Sequence, residues 1–151
     1  GRGFGLEVEM IARAHELDLL TCPYVFDPEQ ARLMAAVGAD IIVAHMGLTT
    51  SGTIGASVAM SLEDAVARVQ EIRDAAAEVR NDIIVLCHGG PIAMPADAEF
   101  VLSRTKGVAG FFGASSLERL PTETAMTETA RAFKAVGHAA RQPASEDGNL
   151  K

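Results

Sequence analysis

Nowhere in the 151-residue sequence do about 18 apolar residues run together, so no segment has the length of a membrane span. No basic-then-apolar segment of the signal-peptide kind opens the chain. Basic residues are the minority: 13 Lys and Arg stand against 20 Asp and Glu, a formal net charge of −7. That balance speaks against nucleic acid or an anionic membrane as partner, since either selects for a basic surface. Cysteine is scarce. Cys22 and Cys87 lie far apart in apolar surroundings, and the expectation is two buried thiols in a reducing cytoplasm. No Cys or His spacing suggests zinc, and no Walker A or dinucleotide fingerprint occurs. What is present is apolar: 48% of residues are hydrophobic against 22% charged, which excludes disorder as the overall class. A chain of this length suits one domain, hiding roughly 70% of its unfolded surface.

The chain opens at Gly1, and Gly3 and Gly5 lead straight into a helix, which reads as a piece of a longer protein. Leu6, Met10, Ala14 and Leu17 are helically spaced over Leu6 to Asp18, and Leu19 to Phe26 reads as a buried strand. Asp27 and Pro28 start a helix, with Gln30 able to reach back to the cap amide, and Gly38 stops it. A second strand, Asp40 to His45, precedes a long Gly/Ser/Thr segment from Met46 to Met60. Ser61 to Asp64 resembles a capping box for an amphipathic helix over Leu62 to Val79. Ile83 to Cys87 is a third strand, running into His88-Gly89-Gly90-Pro91, and Pro95 opens a helix to about Arg104. Val108 to Gly113 is a fourth strand, Ser115 caps a short turn of helix with Glu118, and a last helix covers Thr122 to Val136. Residues 1–138 form the domain; the polar, aperiodic stretch from Ala139 to Lys151 reads as a disordered tail.

Strands apolar throughout, alternating with amphipathic helices, mean an α/β fold with a covered parallel sheet. Two architectures fit: four strand-helix units forming the C-terminal half of a (β/α)₈ TIM barrel, or a small open doubly wound parallel sheet. Both put functional loops at the carboxyl ends of strands, and that is where unusual residues collect. His45 and His88 end successive strands and suit proton transfer or donation to an oxyanion. Gly89-Gly90 and Gly113-Ala114-Ser115-Ser116 follow the last two strands, where small residues let backbone amides approach a phosphate or carboxylate. Arg119 is placed to clamp a carboxylate. The Met46–Met60 loop, with Gly47, Thr49 and Thr50, is longer than the usual connection of about 2–6 residues and suits a cover over a polar ligand. No metal set stands out: Asp27 and Glu118 are explained as helix-start residues.

Five runs resemble a known family: Glu7-Val8-Glu9-Met10-Ile11; Thr21-Cys22-Pro23-Tyr24-Val25-Phe26; Ala39-Asp40-Ile41-Ile42-Val43-Ala44-His45-Met46-Gly47-Leu48-Thr49-Thr50; Leu86-Cys87-His88-Gly89-Gly90-Pro91-Ile92; and Phe112 through Glu123. They are similar to the phosphoenolpyruvate hydrolase-like TIM barrels, also described as phosphonopyruvate hydrolases or barrel signal-transduction proteins. The resemblance extends to about Ala135. It implies a (β/α)₈ barrel that hydrolyses a C–P or enol-phosphate bond of a small keto-acid, or a non-catalytic barrel regulating an attached ATP-binding-like domain. It also implies that any Mg²⁺ is held by the barrel half preceding this segment, with no cofactor bound by the segment itself. The expected partners are a small anionic substrate and, across the open sheet edges, a second copy or the N-terminal half-barrel.

Overall fold

A computed structural model describes residues 3–48 and 60–139. The order is α1 (Gly5–Glu16), β1 (Tyr24–Val25), α2 (Pro28–Ala36), β2 (Ile41–His45), α3 (Leu62–Val79), β3 (Ile84–His88), α4 (Pro95–Arg104), β4 (Gly110–Phe111), α5 (Ser115–Glu118) and α6 (Leu120–Ala139). The four strands are parallel and lie in chain order, β1-β2-β3-β4. A doubly wound sheet reverses its strand order at a switch point and carries helices on both faces. Here there is no reversal, and α1, α2, α3 and α4 pack each against the next in a single layer. The fold is therefore the four-unit half of a (β/α)₈ barrel, and the doubly wound alternative is set aside.

The two faces of the sheet differ because side chains alternate. Ile42, Ala44, Val85 and Cys87 point under the helices and join one core with Met34, Val69, Ile72, Ile92 and Val101. Ile41, Val43 and His45, with Ile84, Leu86 and His88, share the opposite, concave face, where Ile84 is 46% exposed. The helix starts follow local chemistry. Asp27 accepts from the Gln30 amide and Ser61 from the Asp64 amide. Asp97 accepts from the amides of Ala93 and Met94 ahead of Pro95. Gly38, at φ +91°, closes α2 where an added Cβ would strike the His15 ring.

Several expectations need correction. Regular pairing in the first strand shrinks to Tyr24–Val25, and Leu19 and Leu20 are exposed. Pro23 has no N–H to give, and among the described residues β1 lies at the sheet edge, beside β2. The fourth strand, also an edge, pairs over Gly110–Phe111 alone. Cys22 is exposed rather than buried, although the carbonyls of Thr21 and Pro23 on either side accept from the Ile41 and Val43 amides. On α1 the apolar stripe predicted from Leu6, Met10 and Leu17 faces outward; Ile11 is the buried residue, because α1 meets α2 as its helical neighbour and is covered along a narrow strip. Gln30 reaches past the cap to the Phe26 amide. Ser115 is the first helical residue of α5 and Ala114 the cap, without a side-chain bond, so the Ser115–Glu118 capping box does not form. The last helix begins earlier and runs longer than expected, from Leu120 to Ala139.

Candidate functional site

Parallel pairing puts His45 directly opposite His88, and the same register one step earlier pairs Val43 with Leu86 and Leu86 with Gly110. Continued one residue past each edge strand, it sets Phe26 beside His45 and Phe112 beside His88. The carboxyl ends of four successive strands thus contribute one row of rings. His45 and His88 have centroids 4.8 Å apart and planes at 78°. Phe26 lies 5.0 Å from His45, and Phe112 lies 5.7 Å from His88, edge to face. Tyr24 rises from the row beneath, where Val43 and Gly110 leave room. It stacks on His88 at 5.2 Å and 11° and meets the edge of His45 at 4.8 Å.

Each imidazole is fastened through Nδ1, in opposite senses. The Gly47 amide donates to His45 Nδ1 at 3.0 Å; an amide can only donate, so Nδ1 carries the lone pair and the neutral ring has its proton on Nε2. His88 Nδ1 lies 2.7 Å from the Phe112 carbonyl oxygen; a carbonyl can only accept, so this Nδ1 carries the proton, and in the neutral ring Nε2 carries the lone pair. The site therefore presents one N–H donor, from His45, and one basic nitrogen, from His88. Burial, and then repulsion from His88 whenever that ring is protonated, hold the His45 pKa below its ordinary value of 6.5, so His45 is neutral at pH 7.

The glycines lock the two loops together. Gly90 donates its amide to the Gly47 carbonyl at 2.7 Å, while the Met46 amide donates to the His88 carbonyl at 2.8 Å. Gly89 and Gly90 have φ of +73° and +58°; a Cβ on Gly89 would lie 2.5 Å from the Gly47 oxygen, and one on Gly90 would overlap the Met46 carbonyl. Glycine is required here by backbone against backbone.

Of the sequence candidates, His45, His88, Gly47, Gly89 and Gly90 come together. Thr49 and Thr50, with the rest of 49–59, lie outside the described residues. The Gly113–Ser116 bend reaches the pair through Phe112, whose carbonyl anchors His88, and then turns outward. Gly113 makes room for the Leu117 side chain, and Ser116 lines an apolar cleft of about 550 Å³ against Ala98 and Leu102 of α4. Arg119 forms an ion pair with Glu123 at 3.2 Å. Sequence reasoning missed Tyr24, Phe26 and Phe112; their signal was position, each at the end of an edge strand on the face that bears the histidines. Cys87 points to the helix side, and burial pushes its thiol up to about 11, so it is no nucleophile. The cluster of two imidazoles and a phenol does not fit Mg²⁺, which takes oxygen ligands, carboxylates above all. Among the described residues no group of three His, Cys, Asp or Glu could hold a metal ion. No described helix is long and apolar enough to cross a membrane.

Four parallel strand-helix units with a polar and aromatic cluster at the strand ends define a half-barrel module of the (β/α)₈ type. The chain belongs to the phosphoenolpyruvate hydrolase-like family, which matches residues 1–136. Two Solanum lycopersicum proteins, ToMV susceptible protein tm-1(GCR26) and ToMV resistance protein Tm-1(GCR237), are each 61% identical over 136 residues, 90% of this chain and 18% of theirs. A Sinorhizobium fredii protein with the provisional name of transcriptional regulatory protein y4pA is 32% identical over 91% of this chain and 22% of its own length. The chain thus spans about a fifth of the curated relatives it matches. Nitroalkane oxidase from Streptomyces ansochromogenes is a similar solved structure, with 30% identity, a TM-score of 0.46, and coverage of 73% of this chain and 31% of that one.

Proposed function

We propose that the chain is the site-bearing half of a TIM-barrel enzyme that hydrolyses a C–P or enol-phosphate bond of a small phospho- or phosphono-keto-acid. One observation carries the reading: His45 and His88, from neighbouring strand ends, offer a donor and a base 4.8 Å apart, ring centre to ring centre. The pair polarises the carbonyl or enolate oxygen and handles the proton. The phosphoryl group is held by backbone at Gly89 and at Ala114–Ser115, two residues beyond Phe112. The rings of Tyr24, Phe26 and Phe112 exclude water. The Gly90 amide, already donated to Gly47, supports the loop rather than the ligand. Release of inorganic phosphate from phosphoenolpyruvate or phosphonopyruvate, measured on this chain and on a longer chain carrying the preceding barrel half, tests the reading. Turnover that is lost in His88→Gln is expected; no release from either chain overturns it.

A second reading has its own support. The ring cluster contains no carboxylate, and relatives carry names of resistance and regulatory proteins. In this reading the barrel binds a small anion and regulates an attached ATP-binding-like domain. Thermal stabilisation by phosphonopyruvate without turnover would favour it. In either case β1 and β4 are edge strands among the described residues, which a second copy or an N-terminal half-barrel completes. Sedimentation velocity of this chain over a range of concentrations distinguishes them: self-association supports the copy, a monomer throughout the missing half.

A further inference from the structure

The two imidazoles are not interchangeable. Gly47 and Phe112 impose opposite tautomers, so the free nitrogens form a pair of fixed polarity, Nε2–H on His45 and a bare Nε2 on His88. Neither ring can turn over without losing its anchor. Tyr24 further restrains His88 by lying flat against it, and Phe112 closes its edge. The ring centres are 4.8 Å apart, a span that one three-carbon molecule can bridge. A ligand matched to this pair presents an acceptor to His45 and, on the adjacent carbon, a proton to His88. A carbonyl with an α C–H has that pattern. A carboxylate, which is an acceptor only, leaves the His88 lone pair unmatched.

We infer that this chain enolises a short 2-keto-acid, with His88 Nε2 as the base and His45 Nε2–H as the donor to the carbonyl oxygen. The inference rests on the keto-acid reading above and adds an activity that needs no phosphoryl group. His88 takes the proton from the carbon beside the carbonyl, the C–H electron pair becomes the C=C bond, and the carbonyl π pair moves onto oxygen. His45 donates a hydrogen bond to that oxygen and keeps its proton, since giving it up would leave an imidazolate. Return of a proton from the His88 imidazolium to carbon restores the keto-acid, so nothing is oxidised or reduced and no co-reactant is consumed. The neutral state of His45 favours the role, because a protonated ring would lose the Gly47 bond.

The test uses the 151-residue chain in D₂O with pyruvate as probe, following loss of the methyl proton signal by NMR. Exchange roughly a hundredfold above buffer is expected, the size a positioned base supplies. His88→Gln, which removes the base, should fall to the buffer rate. His45→Gln, which keeps a donor, should retain more exchange than His45→Leu. Two-bond ¹H–¹⁵N spectra of the histidine rings check polarity and folding together: an Nε2–H form for His45 and an Nδ1–H form for His88 are expected. Exchange at the buffer rate in the unmodified chain, exchange surviving His88→Gln, or like tautomers on the two rings would each overturn the inference. Failure here and failure of the hydrolase reading are separate results. Exchange without phosphate release from phosphoenolpyruvate or phosphonopyruvate, by this chain or the longer one, keeps this inference and removes hydrolysis; phosphate release without exchange does the reverse.

Discussion

The Gly90 amide donates to the Gly47 carbonyl at 2.7 Å, and the Gly47 amide in turn donates to His45 Nδ1 at 3.0 Å. One residue therefore couples the loop after β3 to the ring at the end of β2, and the orientation of His45 depends on a contact made by the neighbouring unit.

Gly90→Ala tests this coupling. The added Cβ meets the Met46 carbonyl, and an alanine at φ +58° costs about 1–2 kcal/mol before any clash. We expect a total loss of about 2–3 kcal/mol, which for a chain of this size lowers Tm by roughly 4–12 °C. A melting temperature unchanged by the substitution would mean that the two loops are not locked.

His45 makes stability depend on pH in a defined direction. Its folded pKa lies below the ordinary 6.5, so between the two values the unfolded chain binds the proton and the folded chain does not. Its contribution is complete above pH 6.5 and declines as the pH falls toward the folded value. Urea midpoints measured from pH 8 to 5 should fall more steeply for the unmodified chain than for His45→Gln. Parallel curves would contradict the assignment.

Asp40 gives an acid-side test at the other end of the sheet. Hydrogen bonds from the Thr21 amide and hydroxyl, each at 2.8 Å, hold its carboxyl below the usual carboxylate range. The stabilisation is present above pH 3.8 and is lost as the pH falls through the lowered folded value. Asp40→Asn should cost about 1 kcal/mol at neutral pH, since the site is partly open to solvent, and should flatten the acid limb of the denaturation curve. Faster hydrogen exchange of the Thr21 amide would locate the effect in the lead-in to β1.

The two thiols should separate under alkylation. Cys22 is exposed, while Cys87 is buried with its pKa near 11. Iodoacetamide at pH 8 should give a single adduct on Cys22 in the folded chain, slowly because partial burial also raises that thiol, and a second adduct in urea. Mass spectrometry showing Cys87 modified first would refute the placement of β3.

Much of this architecture is legible in the chain itself. Leu62–Val79 and Pro95–Arg104 fold over the boundaries their periodicity marks, because a capped helix with one apolar face is decided by residues three and four apart. His45 and His88 stand out for a similar reason: each ends an apolar run, with a glycine one or two residues on. The edge strands were harder. Leu19 to Phe26 has the composition of a buried strand, yet at the sheet edge regular strand is confined to Tyr24 and Val25, and Cys22 is left in the open. Composition cannot register the lack of a neighbour. Phe112 and Tyr24 stayed hidden because their role depends on which strand lies beside which.

Local pattern, then, determined the alternation of strands and helices, the helix starts at Asp27 and Ser61, and the placing of two histidines at strand ends, since each follows from contacts within one turn or one strand. Tertiary structure alone decided the chain-order sheet, the aromatic walls of Tyr24 and Phe112, and the opposite tautomers of His45 and His88. Those depend on hydrogen bonds and ring contacts between units, such as the 24 residues separating the His88 ring from the carbonyl that fixes its proton, and no local periodicity encodes such a distance.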